Sequence, residues 1–197
     1  MVQIGVVANN VTVKQLIRYA YELQDPQIMG PGWINTERYD ITAQPKNPAS
    51  TAQLRLMVQR LLEEHFKLKA HREMKELPVY WLVVAEGGPK LRDVEEEHAF
   101  NAAARAKSPF KPGLDAILKA GDLPEFAERL SRMIGRPVLD KTRIKGRFWF
   151  QLEWVPDKNQ PGRADSLLTA MQEQLGLKVE EKRAPAEVLV IDAVEQP

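Results

Sequence analysis

The chain has 197 residues, of which 44% are hydrophobic and 28% charged, and a formal net charge of +1. That composition is ordinary for a globular protein with an apolar core, and the near-neutral charge supplies no field for gripping a phosphate backbone or an anionic membrane surface. Cysteine is absent, which excludes disulfides, thiolate zinc sites, iron–sulfur clusters and a cysteine nucleophile.

In chain order, Met1–Ala8 lacks the basic start and long apolar stretch of a signal peptide, and Gln3–Ala8 reads as a strand. No later run reaches the roughly 18–20 apolar residues needed to span a bilayer. Asn10 or Thr12 caps a helix in which Val13, Leu16, Ile17, Ala20 and Leu23 recur at helical spacing. Asp25-Pro26 and Gly30-Pro31-Gly32 end it and force turns. Arg38–Gln44 alternates as a second strand, with Tyr39, Ile41 and Ala43 on one face. After a loop over 45–50, Thr51 caps a helix carrying Leu54, Met57, Val58, Leu61, Leu62 and His65. Phe66–Arg72 and Val79–Ala85 are then expected as an antiparallel pair connected around Glu73–Leu77. Val79–Val84 is apolar on both faces and reads as a central strand covered on each side.

Residues 92–112 change character, with Glu95-Glu96-Glu97, Ala102-Ala103-Ala104, Pro109 and Pro112, and read as a linker. Beyond it the order replays. Leu114–Leu118 is a strand, and Leu123, Phe126 and Leu130 take the places of Val13, Leu16 and Ala20, 110 positions on. Arg136–Leu139 is a short strand, and Arg147–Trp154 a strong one with Phe148, Phe150, Leu152 and Trp154 on one face. A helix over Ser166–Leu175 buries Leu167, Ala170 and Met171, and Leu177–Glu181 with Glu187–Ala193 closes the chain as a second pair. Pro78 and Pro185 sit just before the two final strands, where a missing N–H costs least. Two anchors set the spacing. Arg38-Tyr39-Asp40-Ile41 returns as Arg147-Phe148-Trp149-Phe150, and Phe66-Lys67-Leu68-Lys69 as Leu175-Gly176-Leu177-Lys178, both 109 positions on. The expectation is an internal duplication. The fold is then α+β, two tandem β-α-β-β-α-β-β modules at 1–91 and 113–197 joined by the linker, with helices packed on small mixed sheets.

Few residues point to chemistry. Asp140-Lys141-Thr142, after Val138-Leu139, resembles the phosphorylated aspartate motif of the P-type pumps and related phosphatases. Arg143-Ile144 follows where that motif has glycine and threonine, and no acidic glycine-rich magnesium motif comes later. Turn chemistry accounts for the segment: Asp140 and Thr142 bond backbone amides while Lys141 faces water. His65 and His71 are six apart, without the spacing that aims two imidazoles at one ion, and His98 follows an acidic run that reads as solvated. Gly87-Gly88-Pro89 is a turn, not a phosphate loop. No metal site, cofactor or catalytic residue is expected. On a strand Lys67, Lys69 and His71 point the same way, and with Arg72 and Lys75 they make a basic patch that either meets an acidic partner or is simply solvated. Trp149 emerges beside Arg147, Gln151 and Glu153, and Trp33 follows the Gly30-Pro31-Gly32 turn. Exposed tryptophans are over-represented where proteins meet; the alternative is that the linker or the other half covers Trp149. Trp33, Arg147, Trp149, Lys67, Lys69 and His71 are therefore the candidate binding residues.

Five segments carry a family resemblance: Asn10–Tyr21, Gly32–Ile41, Leu77–Tyr80, Gly135–Thr142 and Glu187–Asp192. Together they resemble the uncharacterised acidobacterial family of Solibacter type, a domain of unknown function, from about residue 9 to residue 195. The resemblance implies an exported bacterial protein, periplasmic or secreted; some relatives carry the domain behind a membrane-bound regulatory metallopeptidase. It supplies no activity and no catalytic residue, and where the family often has glycine after Asp-Lys-Thr this chain has Arg143. The element order of each half also resembles the short N-terminal module of secretins and TonB-dependent receptors, small periplasmic domains that bind other proteins. The expected function is a non-enzymatic extracytoplasmic adaptor that binds a protein or peptide through an exposed sheet edge or the groove between halves. It would need no nucleic acid and no membrane insertion, and its oligomeric state stays open. Two other readings stand beside it: a hydrolase or transferase using carboxylates such as Asp140 and Glu153, and a structural subunit that self-associates through strand edges.

Overall fold

In the computed structural model, which describes residues 2–3, 5–94, 115–155 and 165–197, the chain is α+β, with helices packed against small mixed sheets. β1 (Val2–Gln3) and β2 (Val6–Thr12) lead into α1 (Val13–Tyr21). Thr12 starts the helix: its hydroxyl accepts the Gln15 N–H at 3.2 Å, and the Gln15 side-chain oxygen accepts the Thr12 N–H at 2.8 Å. This reciprocal cap satisfies two donors that a helix start leaves free. The apolar spacing then buries Val13, Leu16, Ile17 and Ala20, as the sequence suggests. β3 (Ile28–Met29), a 3-10 turn over Gly32–Asn35, β4 (Arg38–Ala43) and β5 (Ala49–Ser50) follow. α2 (Thr51–His65) is capped one residue earlier than expected, by Ser50, whose hydroxyl accepts the Gln53 N–H. Leu54, Val58 and Leu62 are its buried face, while His65 is exposed.

The next element departs from the sequence reading. β6 runs unbroken from Lys69 to Val84, and β11 from Leu177 to Ala193, so the two expected closing pairs are single strands. Two-residue hairpin turns favour glycine, asparagine or aspartate at positive φ. Neither Lys69–Val84 nor Leu177–Ile191 contains one, and no residue in either stretch has positive φ. The charged runs taken for connections are strand with solvated side chains. Pro78 and Pro185 accordingly lie inside strands, both exposed, and not ahead of them.

Between the long strands come β7 (Arg92–Asp93), β8 (Asp115–Gly121), α3 (Leu123–Ile134), β9 (Val138–Asp140), β10 (Phe148–Trp154) and α4 (Asp165–Leu175). Most of the expected linker lies outside the described residues. The order β2-α1-β3-β4-α2-β6 recurs as β8-α3-β9-β10-α4-β11, with the starts of α1 and α3, of β3 and β9, and of β4 and β10 each 110 positions apart. Each half ends in one long strand where two short ones were expected.

Compactness cuts across this order. One unit comprises Met1–Leu77 with Ala184–Pro197, the other Pro78–Arg183, whereas the sequence suggested halves at 1–91 and 113–197. Each long strand therefore serves both units. In the first unit β3 pairs parallel with β11, Ile28 opposite Leu189 and Met29 opposite Val190, and β2 pairs antiparallel with β4. Its core gathers Leu16 and Ile17 of α1 and Val58 and Leu62 of α2 with Leu189, and Ile191 and Val194 pack against them. Tyr39 meets Phe66 edge to face, ring centroids 5.0 Å apart. In the second unit β9 pairs parallel with β6, Tyr80 opposite Val138, and β10 lies between β7 and β8. Its core packs Leu82 of β6 among Phe126 and Leu130 of α3, Phe150 and Leu152 of β10 and Met171 of α4. The Phe126 and Phe150 rings stack at 4.3 Å. Ser131, buried in α3, donates to the Ala127 carbonyl at 2.9 Å and accepts the Val138 N–H at 2.8 Å, which ties the helix to β9.

Each core thus takes apolar side chains from the other half of the sequence. Fragments 1–91 and 113–197 produced separately are expected to stay unfolded, with collapsed amide dispersion in NMR spectra, because one lacks Leu189 and Ile191 and the other Leu82. A well-dispersed spectrum from 1–91 alone would contradict the shared cores.

Candidate functional site

β10 organises the open surface of the second unit. Its side chains alternate. Phe148, Phe150, Leu152 and Trp154 face the core, while Trp149, Gln151 and Glu153 face outward, as the sequence suggests. Along one edge β8 pairs with β10 from Phe148 to Trp154. Along the other, β7 reaches only Phe148 and Trp149, and Val94 donates to the Arg147 carbonyl at 3.1 Å. Because an antiparallel ladder alternates, Arg147, Trp149, Gln151 and Glu153 all aim their N–H and C=O groups toward the β7 side.

At Glu153 a side chain closes that edge. Gln174, on α4, accepts the Glu153 N–H at 3.0 Å and donates to the Glu153 carbonyl at 2.7 Å. A carboxamide carries a donor and an acceptor side by side, as a strand does, so one glutamine reproduces one rung of a ladder. Between this rung and β7 lies Gln151, and among the described residues no strand pairs with it on that side. Gln151 faces a groove of about 410 Å³ walled by Trp149, Glu153, Gln174, Lys90 and Arg92. Lys90 is held in place by donating its backbone N–H to Leu175 and its ammonium to the Glu173 carbonyl, each at 2.8 Å. The Gly87-Gly88 turn that delivers it has positive φ at both glycines. Gly176 lets this turn come close, since a side chain there would collide with the Gly88 carbonyl.

The remaining sequence candidates scatter. Arg147 is exposed at the start of β10. Trp33 lies in the first unit, in the Gly32–Asn35 turn, half-buried against that unit's core, whereas Trp149 belongs to the second unit. Lys67 is not on the strand: at φ 51 it turns the chain after α2 and donates its ammonium to the Glu64 carbonyl at 2.8 Å. Lys69 and His71 do share a strand face, but His71 Nδ1 lies 2.9 Å from one Asp192 carboxylate oxygen and 3.0 Å from the other. Arg72 pairs with Glu187, and Lys75 with Glu73 at 3.3 Å. Three of the patch's five basic residues therefore face carboxylates of their own unit.

Asp140 behaves as turn chemistry requires. Its Oδ1 accepts from the Thr142 N–H at 2.9 Å and hydroxyl at 2.7 Å, and the Thr142 oxygen accepts the Ile144 N–H at 3.2 Å. Lys141 is exposed, its ammonium 5.8 Å from the Trp81 ring centroid. Glu153 lines the β10 groove and Asp140 does not. His98 and Glu95-Glu96-Glu97 lie outside the described residues, among which no three His, Asp or Glu side chains converge as a metal set. No helix among the described residues is long and apolar enough to cross a membrane.

Two features escaped the sequence. One is the Gln174 rung, since nothing marks an exposed helical glutamine as a strand substitute. The other joins residues far apart in the chain: Tyr80 donates to Glu181 at 3.1 Å, and Arg136 donates to the same carboxylate at 2.8 Å with its guanidinium 5.2 Å from the Tyr80 ring. Burial first, and then the hydrogen bond to Glu181, raise the Tyr80 phenol above the ordinary tyrosine value, with Arg136 opposing.

No catalytic constellation emerges among these groups, and kinship is informative only at the level of family. Residues 14–194 match the family described as a protein of unknown function, DUF3738. The chain belongs to that family. No curated protein matches it, and no solved structure does.

For this family member, Gln174→Ala is expected to lower stability by about 1 kcal/mol and to speed hydrogen exchange at the Glu153 amide, because both edge bonds are lost. The folded state holds the Tyr80 proton more tightly than the unfolded chain does. That contribution is complete below the unfolded value of about 10 and is lost as pH rises through the higher folded value. Ultraviolet titration should show a late-ionising phenol that disappears in Tyr80→Phe; the Tyr21 phenol, also raised, remains.

Proposed function

We propose that this chain is a non-enzymatic binding protein that accepts an extended segment of a partner protein as an added strand on the outer edge of β10. The observation that carries the reading is the Gln174 carboxamide bonded to both backbone groups of Glu153. The edge already takes a strand at Trp149 and a strand substitute at Glu153, and the position between them opens on a groove. Main-chain hydrogen bonds at Gln151 supply the register, and side chains of the added strand that point outward pack over Trp149. Trp149 offers a large, rigid surface of the kind that dominates binding energy at protein interfaces, and Arg147 flanks it at the strand's start.

Three further considerations support this reading without fixing the partner. The resemblance to the Solibacter-type family supports a location outside the cytoplasm, periplasmic or secreted. The element order of each half, its closing pair excepted, resembles the short modules of secretins and TonB-dependent receptors, domains that bind other proteins, which supports a binding role. The near-constant spacing of recurring elements fits an internal duplication, a common origin for binding modules.

Peptides selected from a random displayed library against the whole chain test the proposal. Selected binders are expected to lose about tenfold or more in affinity, some 1.4 kcal/mol, with Trp149→Ala and with Gln151→Pro, which removes the N–H at that position. Binders indifferent to both substitutions, in proteins that melt normally, would place recognition elsewhere.

A further inference from the structure

A charged groove lies between the end of β8 and α3 in the second unit. Its volume is about 150 Å³, and the stacked rings of Phe126 and Phe150 line it from the core side. Its remaining walls carry Lys119 of β8 and Glu125, Glu128, Arg129 and Arg132 of α3. On a helix, a glutamate four residues before an arginine is well placed to pair with it. Glu125 precedes Arg129 by four, and Glu128 precedes Arg132 by four. Neither pair closes: among the described residues no hydrogen bond or ion pair engages Lys119, Arg129 or Arg132. The Glu125 carboxylate lies instead over Gly121, where a Cβ would meet its oxygen at 2.6 Å. Glycine leaves that place open for it.

The corresponding place in the first unit differs on both counts. Val11, Gln15, Leu16 and Tyr19 stand 110 positions before Gly121, Glu125, Phe126 and Arg129, and they wall a groove of about 340 Å³ with no charged residue in it. Arg18 of α1 has the Asp25 carboxylate at 3.2 Å, and Glu22 at the end of that helix has Arg55 at 2.8 Å. The arginine of α1 is paired; those of α3 are not.

Arg129 is the informative member. It is half-buried, and a charge drawn out of water is costly unless a counter-charge or acceptor meets it. Its guanidinium is a planar fork of donors that matches two oxygens of a phosphate. The basic residues of the groove outnumber its carboxylates three to two, and Glu125 is drawn aside over Gly121. Size narrows the ligand further. The space of about 150 Å³ is some five times the roughly 30 Å³ that a water molecule occupies in the liquid, which suits one tetrahedral group and not a nucleotide or an added strand. We propose that this groove binds a phosphate group, as the free anion or as the phosphoryl end of a larger molecule. Arg129 bonds two of its oxygens, and Lys119 and Arg132 add positive charge around it. The site is separate from the β10 groove and does not rest on peptide binding there.

The test follows amide chemical shifts of the whole chain by NMR as inorganic phosphate replaces chloride at constant ionic strength. Shifts at Gly121, Glu125 and Arg129 are expected to saturate. Methyl phosphate is the second arm: binding as tight as that of inorganic phosphate, or tighter, assigns the site to the phosphoryl end of a larger molecule, and weaker binding assigns it to the free anion. Arg129→Gln is expected to weaken binding about tenfold or more. Arg129→Lys, which keeps the charge and loses the fork, is expected to weaken it less. Arg60→Gln removes the same charge from an exposed position on α2 and is expected to change nothing, as is Trp149→Ala in the β10 groove. If Arg129→Gln does not fold, Lys119→Gln, on an exposed side chain, carries the same expected direction. Shifts that grow without saturating overturn the proposal. So does binding that Arg60→Gln weakens as much as Arg129→Gln or Lys119→Gln does.

Discussion

Two long stretches of this chain lack the residues that two-residue hairpin turns favour. From Lys69 to Val84 and from Leu177 to Ile191 there is no glycine, asparagine or aspartate, and both stretches run as uninterrupted strands. The remaining architecture follows from that. Because β6 does not turn back, Leu82 is carried into the second unit; because β11 does not, Leu189 and Ile191 return to the first. Burying a leucine or isoleucine contributes about 1.5–3 kcal/mol, against a net stability of about 5–15 kcal/mol for a typical domain. These few side chains are therefore enough to make each unit depend on both halves of the sequence.

The same economy of turns produces strand edges, and the chain deals with them in chemically different ways. At Glu153 the edge is satisfied by a glutamine from α4. At β8 it is guarded by Lys119 and by the charged side chains of α3. β2 is broken by a bulge at Asn9-Asn10, where Asp40 accepts the Asn10 N–H and Arg38 donates to its carbonyl, and at Gln151 among the described residues the edge is neither satisfied nor guarded. The surroundings differ as well: Lys90, Arg92 and Glu153 rim the groove at β10, whereas the groove at β2 has no charged wall.

Much of this was legible in the residues. The spacing of Val13, Leu16, Ile17 and Ala20, and of Leu123, Phe126 and Leu130, identified the buried faces of α1 and α3. Alternation in β10 put Trp149 outward, and Asp140 and Thr142 formed the turn that their side chains favour. The first long strand was misread at Glu73–Leu77, a largely charged run taken for a connection, and charge correlates with loops without causing them. One clue to the error was present. Lys67 and Gly176 stand 109 positions apart, and both adopt positive φ, at 51° and 65°. A glycine at that point places the turn before Leu68 and Leu177, so the strand starts afterwards and Lys67 never joins the row of Lys69 and His71. Gln174 and the Tyr80–Glu181–Arg136 cluster had no comparable trace, since each depends on which elements meet in space.

The division of the chain also sets an order in time. Residues 78–183 form the second unit as one continuous segment, whereas the first unit needs both Met1–Leu77 and Ala184–Pro197. As the polypeptide emerges during synthesis, the segment made later can complete its core sooner. The earlier one waits, on the order of ten seconds at ordinary elongation rates, for its final strand. Throughout that interval the apolar faces of α1 and α2 lack the cover that Leu189 provides. Exposed apolar surface of that kind is what makes partly folded chains prone to aggregate.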